Sequence, residues 1–277
     1  MQCTSPVRIR DPSGPALCPG WIMVPCGKCM ACRIAKTREW AVRLLHESGY
    51  HDDMAFVTLT YADEFLPEDE SLDKRELQNF LKRLRKGLGN EKKIKYFACG
   101  EYGDRFLRAH YHAIIFGIGP KNVEMVRKAW PFGFVDVKPV MLENIKYVTG
   151  YVKKKLDGPL GKETYKGKKE PFQLQSKGLG KQFALDNKKW LEQHTGVTVN
   201  GKPQGLPRYY RNFIDVSSEK LYEKSLEAEK KVREKFKEMG FDADDDYDFY
   251  LLTLFASRAR KANLEAKFKM NQEKRKK

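Results

Sequence analysis

Long apolar runs are missing from this sequence. No stretch approaches the roughly 18 apolar residues that a bilayer-spanning helix needs, and the first 21 residues are broken by Pro6, Pro12, Pro15 and Pro19, unlike a secretory leader. A membrane partner is therefore not expected, and the cytoplasm is the expected location. No G-x-x-x-x-G-K-[ST] run is present, so an intrinsic NTP-driven motor is not expected and any unwinding falls to another protein. Histidine is scarce, at five residues, which makes any close pair of them notable. Cysteine is scarce beyond residue 33: five of the six lie before it, and Cys26, Cys29 and Cys32 are too tightly spaced for a disulfide framework. Acidic residues are in deficit, 37 against 53 Lys and Arg, so the net charge of +16 calls for a polyanionic partner, nucleic acid before an acidic membrane surface.

What is present reads as an α+β chain. Its 277 residues suit about two domains at roughly 150 residues each. The first 33 residues show no regular period and read as an irregular lead-in, followed by a helix over about 36–47 with Trp40, Val42, Leu44 and Leu45. "AFVTLTY" at 55–61 alternates like a strand. Ser71 or Asp73 can cap a helix carrying Leu77, Phe80, Leu81 and Leu84. Strands at about 93–101 and 109–117 form an antiparallel hairpin, followed by a helix at 121–130, a strand in "FGFVDVKPV" and a helix from Leu142 to Leu156 with Ile145, Val148 and Val152 on one side. The order β-α-β-β-α-β-α is ferredoxin-like, an antiparallel sheet with helices on one face. We divide the chain into a Cys-rich segment with its helix (1–50), a core with a basic stretch (51–215) and a charged helical appendage (216–277).

Three constellations carry chemistry. His110 and His112 are two apart in a strand, so both imidazoles face one side of the sheet, with Glu101 on the neighbouring strand. Two imidazoles and a carboxylate leave coordination positions open for a divalent ion that also binds phosphate oxygens; the plainer alternative is a pair of strand histidines satisfied by backbone or water. Tyr147 and Tyr151 share a helix face, with Lys154 and Lys155 a turn further on. They read either as core aromatics or, following directly on the last strand of the sheet, as phenols able to attack a phosphodiester. "CGKCMACR" gives three thiols, one short of a tetrahedral zinc site, which Cys3 or Cys18 could complete. Cys99, among apolar strand residues, is a weaker candidate, and a four-Cys iron–sulfur cluster or unliganded thiols are the alternatives.

Residues 146–189 carry 12 basic and 4 acidic side chains, half of the chain's excess charge. Lys153, Lys155 and Lys177, the last within "SKGLG", together with Arg208 and Tyr209 in "LPRYYRNF", are candidates to contact single-stranded DNA; both motifs are equally ordinary as loops.

Taken in order, "VPCGKCMACR", the "TLTY" strand, "GEYG", "HYH", the double-Tyr helix, "SKGLG" and "LPRYY" resemble the replication initiation proteins of small single-stranded DNA phages, the gokushovirus branch of the Microviridae within the HUH endonuclease superfamily. The resemblance runs from Cys3 to about Phe213. It implies that His110, His112 and Glu101 hold Mg²⁺ or Mn²⁺, that Tyr147 and Tyr151 are alternating nucleophiles, and that Cys3 is the fourth partner of the Cys triple. Related helices carry Lys just before the second Tyr, where this chain has Gly150; Lys154 is the substitute. The implied function is rolling-circle initiation in the host bacterial cytoplasm. Origin DNA would be nicked through a 5′-phosphotyrosyl intermediate and later rejoined, with a host helicase and DNA polymerase as partners. The rival reading is a zinc-containing, non-enzymatic single-strand DNA-binding or regulatory protein in which the histidines are structural.

Overall fold

The segment expected to be irregular contains a hairpin. In the computed structural model, which describes residues 3–10, 20–89, 92–103, 106–154, 164–199 and 201–276, β1 (Val7–Arg10) pairs antiparallel with β2 (Trp21–Val24). Helix α1 (Met30–Ser48) begins two turns earlier than the apolar pattern suggested, because its first turn is closed by the Arg33 N–H donating to the Cys29 carbonyl. By compactness the chain forms two units, Thr37–Asn187 and the flanking Met1–Lys36 with Lys188–Arg275.

The first unit has the expected order. β3 (Met54–Tyr61), α2 (Lys74–Leu88), β4 (Lys95–Tyr102), β5 (Ala109–Phe116), α3 (Val123–Ala129), β6 (Gly133–Pro139) and α4 (Leu142–Lys154) follow one another. The strands lie in the antiparallel order β6-β3-β5-β4, which is ferredoxin-like, and β7 (Phe172–Gln175) extends the sheet on the far side of β4. That edge strand, four residues long, is too short to show a period.

Helices α2 and α3 form the expected layer. Asp73 caps α2, its carboxylate accepting from the N–H groups of Arg75 and Glu76, and Leu77, Phe80, Leu81 and Leu84 are buried. Trp130, just past α3, packs edge-on against Phe80 and against Tyr61 and Tyr111 of the sheet, its indole N–H donating to the Thr60 carbonyl. The Tyr111 hydroxyl accepts from Tyr61 or donates to it at 2.8 Å, and accepts the Asp73 N–H, fixing the start of α2 to the sheet.

A single helical layer is not enough for this sheet, because β3, β4 and β5 are apolar on both faces. A second layer, α1 and α4, therefore covers the opposite face. There Trp40, Leu44, Ile145, Val148 and Tyr151 pack with Phe56, Phe97, Cys99, Ile114 and Phe116 in one buried cluster. Fully burying side chains of this size contributes about 1.5–3 kcal/mol each. The "SKGLG" loop is tied to α1 by Arg43 Nε donating to the Leu179 carbonyl and by the Gly180 N–H donating to Glu47. It leads into α5 (Lys181–Asp186).

The second unit contains α6 (Lys188–His194), the hairpin of β8 (Gly196–Val199) and β9 (Lys202–Gly205), and the charged helices α7 (Ser218–Glu238) and α8 (Asp246–Lys276). Ser217 caps α7. The acidic turn between the last two helices is held by Arg233, which pairs with Asp246 and Glu229 and donates to the Ala243 carbonyl.

Candidate metal and tyrosine centre

Strand register brings the first constellation together. Glu101 pairs with His110, and His112 pairs with Cys99 on one side and Thr58 on the other, so Glu101, His110 and His112 share the face covered by α1 and α4. Glu101 Oε1 lies 3.0 Å from His110 Nε2 and 3.1 Å from His112 Nε2. Burial opposes the Glu101 charge, but hydrogen bonds from the two imidazoles outweigh it and hold the carboxyl below its ordinary range.

Each imidazole is oriented through its other nitrogen. His110 Nδ1 lies 3.1 Å from the Arg108 carbonyl, which can only accept, so that nitrogen carries a proton. His112 Nδ1 lies 3.1 Å from the Thr58 hydroxyl, and its ring stacks on Phe56 at 5.5 Å. One carboxylate oxygen and two imidazole nitrogens within 4.8 Å of one another, each ring fixed from behind, form a donor set that can hold a divalent cation.

The helix that follows β6 brings both tyrosines to this group. Tyr147 Oη lies 3.4 Å from Glu101 Oε1 and 3.5 Å from His112 Nε2, while its ring edge meets Phe56. It is 47% exposed, whereas Tyr151 is 7% exposed and stacks parallel to His112 at 5.9 Å. Burial raises both phenols, Tyr147 to about 12 and Tyr151 further still, with the Glu101 charge acting in the same direction on each.

The thiols form a second group. Cys3 Sγ lies 3.6 Å from Cys26 Sγ and 3.7 Å from Cys29 Sγ, and Cys32 joins them with all four sulfurs within 4.8 Å of one another. A tetrahedron with metal–sulfur bonds of about 2.3 Å has edges of about 3.8 Å, close to these separations. Backbone N–H groups of Ser5 and Cys26 donate to Cys3, and that of Cys29 to Cys26. Burial and hydrogen bonds with Cys3 and Cys29 push the Cys32 thiol up to about 12, as expected of crowded thiols with no cation to share their charge. The buried Cys99 lies instead in the apolar cluster, and Cys18 falls outside the described residues.

This chain resembles known phage proteins. It matches the family of replication-associated proteins of the ORF2 type over residues 54–156, a span that contains both tyrosines and all three residues of the Glu/His/His group. "Replication-associated protein VP4" of Bdellovibrio phage phiMH2K is 30% identical over 291 aligned positions, covering 90% of this chain and 89% of that protein. The chain belongs to the phage replication-associated protein family. "Replication-associated protein ORF4" of Chlamydia phage 1 is also 30% identical, over 69% of this chain and 53% of its own length. "Replication-associated protein ORF2" of Spiroplasma virus 4 is 29% identical, over 67% of this chain and 64% of its own length. No solved structure matches. Among the described residues of this replication-associated protein, no helix is long and apolar enough to cross a membrane.

The basic candidates are not gathered at this centre. Lys177 is exposed, but Ser176 beside it is hydrogen-bonded to Tyr96, five residues down β4 from Glu101, which is about 17 Å along a strand. The Gly180 N–H, a candidate phosphate donor, is occupied by Glu47 at 2.7 Å. Arg208 is exposed and Tyr209 packs on Phe213, both in the other unit. The side chains of Val152, Lys153 and Lys154, and the whole of Lys155, lie outside the described residues. Sequence reasoning missed Thr58 and Phe56, the two β3 side chains that hold His112. The alternation of "AFVTLTY" puts Phe56 and Thr58 on one face, but only the cross-strand register tells that the face is that of His112.

Proposed function

We propose that this protein initiates rolling-circle replication by nicking single-stranded origin DNA and holding the cut end on a tyrosine. The observation that carries this reading is an exposed phenol, Tyr147, at hydrogen-bonding distance from both Glu101 and His112. Tyr147 Oη attacks the scissile phosphorus, the bond from phosphorus to the 3′ oxygen breaks, the phenolic proton is lost and the departing oxygen takes one up. The products are a 5′-phosphotyrosyl enzyme and a free 3′-OH. Glu101 and His112 orient the attacking oxygen. A divalent ion held by Glu101, His110 and His112, Mg²⁺ or Mn²⁺, supplies the charge that polarises the phosphate.

The covalent link conserves the energy of the phosphodiester, so rejoining needs no NTP. Tyr151, one turn along the same helix, is the second nucleophile, and Lys154 a cation for the phosphate charge. Lys153, Lys155, Lys177, Arg208 and Tyr209 contact the strand beyond the centre, and affinity falls steeply with salt. The four thiols hold a structural Zn²⁺. The free 3′-OH primes a host polymerase, with a host helicase opening the duplex in the host cytoplasm.

The test is incubation of the protein and Mn²⁺ with end-labelled single-stranded DNA of its own replicon, followed by denaturing electrophoresis and peptide mapping. An adduct on Tyr147 or Tyr151, lost in His110→Ala, supports the reading. Tight, salt-sensitive binding with no adduct across the whole replicon would overturn it in favour of a zinc-containing binding protein.

A further inference from the structure

The sheet face that carries the Glu/His/His group is not covered evenly. Helix α4 packs on β4 and β5, and α1 reaches β4 through Trp40 and Phe97, but the same face of the edge strand β6 is open. Register identifies what stands on it. Thr60 pairs with His110 on one side and with Phe134 on the other, so Phe134, Thr60, His110 and Glu101 form one row across four strands, with all four side chains on one face. The ring of Phe134 is 71% exposed, two strands from His110, or about 10 Å at the usual strand spacing. On the next row stands Asp136, whose carboxylate is paired with Lys138 at 2.7 Å.

An exposed phenylalanine in mid-strand is a cost unless something covers it. Its surroundings say what suits it. The neighbours on its face are the Thr60 hydroxyl and the Asp136–Lys138 pair, so this is a single ring set among hydrogen-bonding groups and not an apolar patch for a protein partner. A flat apolar face with polar groups around it fits a nucleobase, whose π-face stacks while its edges remain polar. The chain's net charge of +16 favours the polyanion that carries such bases.

We propose that Phe134 is a positioning residue on which a base next to the scissile phosphate stacks, extending the strand's path from Tyr147 across Thr60 onto β6. The occupant is the single DNA strand itself, and the inference rests on the nicking reading for the identity of that strand. Stacking is tolerant of base identity, so Phe134 fixes where the strand lies and leaves the choice of sequence to other contacts.

The experiment separates binding from chemistry. Tyr147→Phe protein, in chelator so that nothing is cut, is titrated with a fluorescent oligothymidylate. A version carrying 5-iodouracil is photo-crosslinked and the crosslinked peptide mapped. Expected results are a crosslink in the β6 peptide, a loss of affinity of roughly tenfold or more for Phe134→Leu, and retention in Phe134→Trp. With Tyr147 restored, Phe134→Leu raises KM for nicking far more than it lowers kcat. If Phe134→Leu binds as tightly as its parent and the crosslink maps outside β6, the stacking surface is wrong even though the parent still forms its tyrosyl adduct. If the parent forms no adduct while oligothymidylate binding still depends on Phe134, the surface stands and the nicking reading falls.

Discussion

Tyr147 and Tyr151 meet edge to face at 4.9 Å on one side of α4, yet they stand in different surroundings. The Tyr147 phenol reaches Glu101 and His112 and opens to solvent, whereas the Tyr151 ring is buried flat against His112. Two identical side chains one helical turn apart are thus presented unequally to an incoming strand.

The first prediction follows from that inequality. Tyr147→Phe should abolish the first tyrosyl–DNA adduct, while Tyr151→Phe should retain it and lose the second transfer that closes the circle. Gel analysis of adducts on a linear strand, beside circular product from a two-site substrate, reads both. Equal first-adduct yields from the two variants would remove the assigned order.

A second concerns Thr58, whose hydroxyl lies 3.1 Å from His112 Nδ1. Groups that orient a ligating histidine from behind are worth about 10- to 100-fold in metal affinity. Thr58→Val should weaken Mn²⁺ binding by about that factor in calorimetric titration without lowering the thermal midpoint, and Thr58→Ser should restore it. Parent-like affinity in the Val variant would show that Phe56 stacking alone orients the ring.

The third concerns the thiols. One zinc per chain is expected by elemental analysis, lost in Cys3→Ser or Cys26→Ser and kept in Cys18→Ser and Cys99→Ser. Because the ligands are thiolates, acidification should release the metal together with the structure it holds. Iron in place of zinc, with visible absorption, would assign a cluster instead.

Much of this was legible in the sequence, for reasons that differ by element. Strands β3, β4 and β5 were readable because alternation marks them, and α2 because a 3.6-residue period and the Asp73 cap agree. The pair at His110 and His112 was readable because a period of two fixes a shared face without any knowledge of the neighbours. Glu101 could be placed beside them because a hairpin folds back on itself. Thr58 and Phe134 lie on strands that reach β5 only through long connections, so their register against the histidines is set by packing on both faces of the sheet and is absent from any local pattern. The β1–β2 hairpin escaped for another reason. Its strands are four residues each, and Trp21, Ile22 and Met23 are a continuous apolar run with no alternation to read.

The last prediction concerns a buried charge remote in sequence from the chemistry. Glu47 on α1 is 1% exposed and accepts from Lys95 Nζ at 2.6 Å, His51 Nε2 at 2.8 Å and the Gly180 N–H at 2.7 Å, joining α1, β4 and the "SKGLG" loop. Burial opposes its ionisation, but those three donors, with the Lys95 charge, outweigh it and hold the carboxyl below the ordinary range. A carboxyl whose folded value is depressed contributes stability above its unfolded value, and that contribution is lost as pH falls through the folded one. Glu47→Gln keeps the shape and removes the charge, so it should cost about 1–3 kcal/mol at neutral pH, the range for hydrogen bonds to a charged group. Urea unfolding of both proteins should show that difference at pH 7 and shrink it as the solution is taken below the ordinary carboxylate range, because the parent then also carries a neutral side chain. A difference that persists unchanged in acid would mean that Glu47 acts through its packing and not through its charge.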